Sequence, residues 1–75
     1  MDNLTAVITM VAEHLGLDAT KITAGSRFVE DLNADSLDMV ELMMEFEHKF
    51  SITISDAEAE NIHTIADVVA HIPVV

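Results

Sequence analysis

The chain has 75 residues, fourteen of them Asp or Glu and three Lys or Arg, for a formal net charge of -11. That balance opposes binding to nucleic acid or anionic membranes, which need Lys and Arg to release counterions, and favours basic partners and fast association. With 51% apolar residues, a mean hydropathy of +0.37 and no cysteine, the chain is neither disordered by composition nor able to form disulfides or supply thiol chemistry. One small domain, 1–75, is expected, burying roughly 60 to 65% of its unfolded surface. No signal peptide or apolar run of transmembrane length is visible, so a cytoplasmic location is expected.

Taken in order, Asp2 or Asn3 caps a first helix predicted to run to about Leu15. Leu4, Val7, Ile8, Val11 and Leu15 share one helical face, and Gly16 is the natural stop. Leu17 to Asp35 has no sustained period. A connection this long is either functional or disordered, and Ile22, Phe28, Val29 and Leu32 argue for a loop anchored on a bundle, with a short helical turn over Arg27 to Leu32. A second helix is predicted from about Ser36 to Phe50. Its apolar residues divide into two groups at about 100° per residue. Met39, Leu42, Met43, Phe46 and Phe50 form one face, and Leu37, Val40 and Met44 a second, nearly opposite. Asp38, Glu41, Glu45 and His48 occupy the arc between them, and Glu47 interrupts the apolar surface on the other side. The first face suffices for a small core. The second is either a binding patch rimmed by charge or a surface covered by the long loop.

After Phe50, Ile52 and Ile54 alternate with Ser51 and Thr53 in a short extended connector. Ser55 with Glu58 forms a capping box for a brief third helix, about Asp56 to Asn61. Thr64 with Asp67 does so for a last helix carrying Ile65, Val68, Val69 and Ile72, which Pro73 ends. Helices this short need tertiary packing to persist. The expected fold is all-α: a small four-helix bundle with three longer helices' worth of core, one short third helix and a long loop between helices one and two.

Several chemistries are excluded. His14, His48, His63 and His71 are scattered without zinc-ligand spacing. Asp31, Asn33 and Asp35 match the opening ligands of a calcium loop, but the required Gly and Glu positions hold Ser36 and Leu42, so no specific metal site is expected. Ser36 has no obvious base beside it, so no catalytic residue is assigned. Ser36 is suited to something else. Asp35 supplies the helix cap and so frees the Ser36 hydroxyl, the positive helix N-terminus favours a phosphodiester there, and Asp35, Leu37 and Asp38 offer a modifying enzyme both charge and apolar contact.

The run EDLNADSLDMVELMMEFEHKF resembles the signature of the acyl carrier proteins, and the whole chain is similar to that family in length, acidity and helix order. In that family the serine of the DSL motif carries 4'-phosphopantetheine. The resemblance therefore implies that Ser36 carries it here, donated by coenzyme A through a phosphopantetheinyl transferase. The arm ends in a thiol that holds acyl groups as thioesters, which agrees with a chain that has no cysteine of its own. The resemblance also assigns helix two to partner recognition. Asp35, Asp38, Glu41 and Glu45 would meet basic patches, and Leu37, Val40 and Met44 would make apolar contact, with acyl-transferring, condensing and reducing enzymes.

The chain departs from the family in having Asn33 where Gly is common and Ser55 where Pro often precedes helix three, and in being less acidic from His48 to Ser55. The expected function is a monomeric, non-catalytic shuttle for fatty acid biosynthesis. The alternatives are a specialised carrier for a polyketide, lipid or other secondary pathway, and an unmodified acidic protein-interaction module.

Overall fold

The computed structural model describes residues 2–73. It contains helices α1 (Asn3–Leu15), α2 (Ser36–Phe50), α3 (Asp56–Glu60) and α4 (Ile65–Ala70), with a 3-10 turn at Ala19–Lys21 that the sequence did not announce. Asp2 caps α1, its carboxylate accepting the Thr5 amide at 2.7 Å. Gly16 ends α1 in the left-handed region at φ 69, where a Cβ would be strained.

One core unites the helices. Val7 and Val11 from α1, Leu42 and Phe46 from α2, and Ile65 and Val68 from α4 are all fully buried, with Phe28 of the long connection among them. The expected core faces of α1 and α2 are confirmed. Leu4, Ile8, Leu15, Met39 and Phe50 complete them as partly buried residues, and Ala12 is buried besides. Such complete burial is worth about 1.5 to 3 kcal/mol for each large aliphatic or aromatic side chain, which is what holds the six-residue α4 in place, whereas the five-residue α3 buries no residue fully and rests on the core through Ala59 and its cap.

The connection between α1 and α2 is ordered by the same core. Ile22, Phe28 and Ala34 are buried in it and Leu32 packs against it, as anchors should, but Val29 is 56% exposed and anchors nothing. Residues 28–32 form the single turn expected there, with the Asp31 and Leu32 amides both donating to the Arg27 carbonyl. Asn33 takes φ 58, so it fills the left-handed position where the family commonly has Gly. The loop also runs beside the start of α4. Phe28 N–H donates to the His63 carbonyl at 2.9 Å, and the Ile65 and Ala66 amides donate to the Ser26 and Ala24 carbonyls at 3.1 and 2.9 Å. Arg27 and Thr64 form an isolated antiparallel bridge there.

Beyond α2 the connector is less regular than the alternation predicted. Ser51 is left-handed at φ 53, closing α2 through its amide on the Glu47 carbonyl, and only then does the chain extend. Glu47, read from sequence as an interruption in an apolar surface, accepts the Ile54 amide at 2.8 Å and ties the connector to the helix. Both expected capping boxes, Ser55 with Glu58 and Thr64 with Asp67, are formed. Helix α3 stops at Glu60, one residue before the expected end. Helix α4 stops at Ala70 and tightens through the His71 and Ile72 amides, which bring Ile72 into the core ahead of Pro73.

Candidate functional site

The start of α2 is built by its own sequence. Asp35 stands just outside the helix, at φ -96 and ψ -177, and its carboxylate accepts the Asp38 amide at 2.8 Å. Asp38 returns the bond, its Oδ2 accepting the Asp35 amide at 3.1 Å. This reciprocal cap satisfies one of the four free amides of the first turn and fixes the direction in which the chain enters the helix. Sequence reasoning found Asp35 as the cap and gave Asp38 only an electrostatic part, so its bond to the Asp35 amide is new.

Ser36 is therefore the first helical residue and not the cap. It is exposed, and among the described residues its hydroxyl takes part in no hydrogen bond. The amides of Ser36 and Leu37 likewise have no protein acceptor among the described residues. An open hydroxyl beside two unpaired N–H groups, at the positive end of a fifteen-residue helix, fits a phosphodiester on the serine oxygen. The neighbouring carboxylates of Asp35 and Asp38 each accept a backbone N–H of this turn.

Two parallel stripes run down α2 from this point. Leu37, Val40 and Met44 are 64%, 56% and 63% exposed, which settles the choice that spacing left open: the long loop does not cover them. Offset by one residue lies the acidic stripe of Asp38, Glu41 and Glu45, with Glu41 and Glu45 exposed and Asp38 partly so. A shallow groove of about 380 Å³ between α1 and α2, lined by Met10, Met44, Glu45, His48 and Lys49, continues the apolar stripe towards α1.

The structure adds one residue that the sequence did not single out. The imidazole of His14, on the last turn of α1, lies against the acidic stripe. Its Nδ1 is 2.8 Å from Glu45 Oε2, and its Nε2 is 3.5 Å from Asp38 Oδ1 and 3.8 Å from Glu41 Oε2. Four histidines spread along the chain carried no usable spacing. Only the packing of α1 on α2 brings this one to three acids.

The calcium-like run before Ser36 is otherwise engaged. The Asp31 carboxylate accepts the Arg27 amide at 2.9 Å and both Nε and a terminal nitrogen of the Arg27 guanidinium at 3.2 Å, which holds its carboxyl below the usual aspartate range. No group of three or more His, Cys, Asp or Glu among the described residues is arranged to hold a metal ion. No helix of the described residues is long and apolar enough to cross a membrane.

Residues 5–72 match the family model described as a phosphopantetheine attachment site. The acyl carrier protein of Helicobacter hepaticus is 57% identical over 72 residues, covering 96% of this chain and 95% of the relative. That of Akkermansia muciniphila is 50% identical over 66 residues, covering 88% and 82%. Among solved structures, a candidate acyl carrier protein from Mycobacterium tuberculosis superposes with a TM-score of 0.80 at 36% identity, over 91% of this chain and 92% of that one. The acyl carrier protein from Enterococcus faecalis, noted for high thermal stability, does so with 0.77 at 34% identity, over 89% and 85%.

Proposed function

The chain belongs to the acyl carrier protein family, and on that premise we propose that Ser36 is the attachment point of a 4'-phosphopantetheine arm donated by coenzyme A. The protein is a carrier and not an enzyme, and its role is to present acyl groups during fatty acid synthesis. When bound, the arm supplies the thiol that holds those groups as thioesters. What this chain contributes is the anchor and the address. Ser36 offers the free oxygen, the Ser36 and Leu37 amides, without protein acceptors among the described residues, would be available to the phosphate, and the Asp35–Asp38 cap holds the first turn in place. The observation that carries the reading is the exposed hydroxyl of Ser36, released from capping by Asp35 within the DSL run.

The two stripes of α2 form the address. Glu41 and Glu45 with Asp38, and the apolar Leu37, Val40 and Met44, suit a partner that pairs Arg and Lys with an apolar pocket. A phosphopantetheinyl transferase and the enzymes that load, condense and reduce the acyl chain would each present such a surface. Charge sets the rate of encounter, and the apolar contacts set how long the complex lasts. The unit that does this is one domain, 1–75, acting as a monomer.

Intact mass before and after incubation with coenzyme A and a broad-specificity phosphopantetheinyl transferase tests the attachment. A gain of one phosphopantetheine by the parent, and none by Ser36→Ala, is expected. A folded, initially unmodified parent that gains nothing overturns the reading and leaves an acidic interaction module. Reversing charge with Glu41→Lys and Glu45→Lys is expected to slow loading without altering helicity.

A further inference from the structure

The acidic stripe is not free for partners on equal terms along its length. Each of its three carboxylates lies within 4 Å of one ring, that of His14, whose side chain is only 15% exposed. The two ring nitrogens face different acids, Nδ1 towards Glu45 and Nε2 towards Asp38 and Glu41. A neutral imidazole has one N–H. With that hydrogen on Nδ1, bonded to Glu45 at 2.8 Å, the lone pair on Nε2 points at two carboxylates; the imidazolium donates on both sides. Asp38 also joins the ring to the attachment site, because its Oδ1 faces His14 while its Oδ2 caps the Asp35 amide beside Ser36.

We infer that His14 is a positioning residue for partner docking whose proton competes with the partner's Arg and Lys side chains for Asp38, Glu41 and Glu45. The inference rests on the docking role proposed for α2. A cation entering the stripe meets carboxylates that the imidazolium already holds and is repelled by the ring's own charge. Binding of a basic partner and binding of the proton therefore oppose each other, and by linkage each weakens the other by the same factor. Among the described residues no further charged side chain pairs with the ring: Glu13 beside it is exposed, and Lys21 of the 3-10 turn and Asp67 and His71 of α4 lie beyond ion-pairing distance. His48 and Lys49 of α2 line a groove with Glu45 but pair with none of the three acids, so His48→Gln is carried as the background for the measurements below. The sign follows: docking is weaker when the His14 ring carries its second proton and stronger when it does not, so acidification opposes it.

The probe is a synthetic amphipathic helical peptide bearing Arg and Leu and no His, so that its charge is constant over the range used. Its affinity is measured at about pH 5.5 and about pH 7.5, on either side of the ordinary imidazole range. In a His48→Gln background the chain with His14 is expected to bind about fivefold more tightly at the higher pH, the low end of ordinary coupling, and the chain with His14→Gln to bind about equally at both. In the parent alone, NMR of the His14 ring is expected to show its titration moving to lower pH when the peptide is added, a readout that does not require the variant to fold. A pH profile unchanged by His14→Gln, or a ring titration that the peptide leaves in place, overturns this inference and leaves the docking surface standing. If the peptide fails to bind the parent, or if Glu41→Gln with Glu45→Gln leaves its affinity unchanged, the docking role falls and this inference with it.

Discussion

The first turns of α2 and α4 are built alike, each with a reciprocal cap: Asp35 with Asp38 in one, Thr64 with Asp67 in the other. What surrounds them differs. At α4 the first two amides, Ile65 and Ala66, donate to the Ser26 and Ala24 carbonyls, and Ile65 is fully buried. At α2 the first two amides have no protein acceptor among the described residues, and the first side chain, Ser36, is exposed. A capping box satisfies the third amide of a helix wherever it occurs. Whether the remaining amides become a structural joint or an anion site depends on whether another segment reaches them. The long connection between α1 and α2 closes one helix start and leaves the other open, although it runs directly into the open one.

Exchanging or removing pieces of these two junctions should separate chemistry from stability. The largest effect expected is at Ser36. Ser36→Ala abolishes attachment, seen by intact mass, while unfolding in urea shifts by no more than about 0.5 kcal/mol, as for other exposed positions. The mirror experiment is Ile65→Ala at the closed junction. It is expected to cost about 2 to 5 kcal/mol in the same unfolding assay, because a fully buried side chain leaves a cavity, and to leave Ser36 competent for loading wherever the variant is folded. Smaller again are the caps. Thr64→Ala and Asp35→Ala are each expected to destabilise by about 1 kcal/mol, but only Asp35→Ala should also slow loading by the transferase, since only that cap holds the attachment turn. If the two caps prove equal in both assays, the contrast between the junctions fails.

The smallest effect expected is in pH dependence. The Asp67 carboxyl is held below the usual aspartate range first by the His63 amide, which donates to it at 2.9 Å, and then by Thr64. A carboxyl with a depressed folded pKa contributes stability that is complete above the unfolded value, near about 3.9, and is lost as pH falls through the folded value. Asp2, Asp18 and Asp31 are lowered in the same direction by their own hydrogen bonds. Thermal melting of the parent is therefore expected to fall on acidification below about pH 4, and Asp67→Asn to show a shallower fall from a lower starting point. An identical slope would mean that the α4 cap is not tied to the charge of Asp67.

Much of this was legible in the residues. The bounds of α2, the cap at Asp2 or Asn3, the Asp35 cap and the stop at Gly16 all depend on contacts within about four residues, and local patterns report those directly. The exposure of Leu37, Val40 and Met44 was suggested by a helix with more apolar surface than a small core requires, but spacing alone left the loop as an equal claimant. Val29 was misplaced among the anchors because an apolar residue in an aperiodic segment carries no signal of direction. Glu47 looked like a flaw in an apolar face until its bond to the Ile54 amide was seen.

By itself, then, the sequence determined an acidic all-α domain with Ser36 at the head of a two-striped helix, because helix periodicity and capping are local, while the carrier reading came from the resemblance of the DSL run to the family. Tertiary structure alone decided which apolar face meets water, which helix start is sealed by the 24–28 segment, and that His14 lies against Asp38, Glu41 and Glu45. Those facts join residues more than twenty positions apart. They are set by how the helices pack around Phe28 and Phe46, for which no short-range pattern in the chain is a substitute.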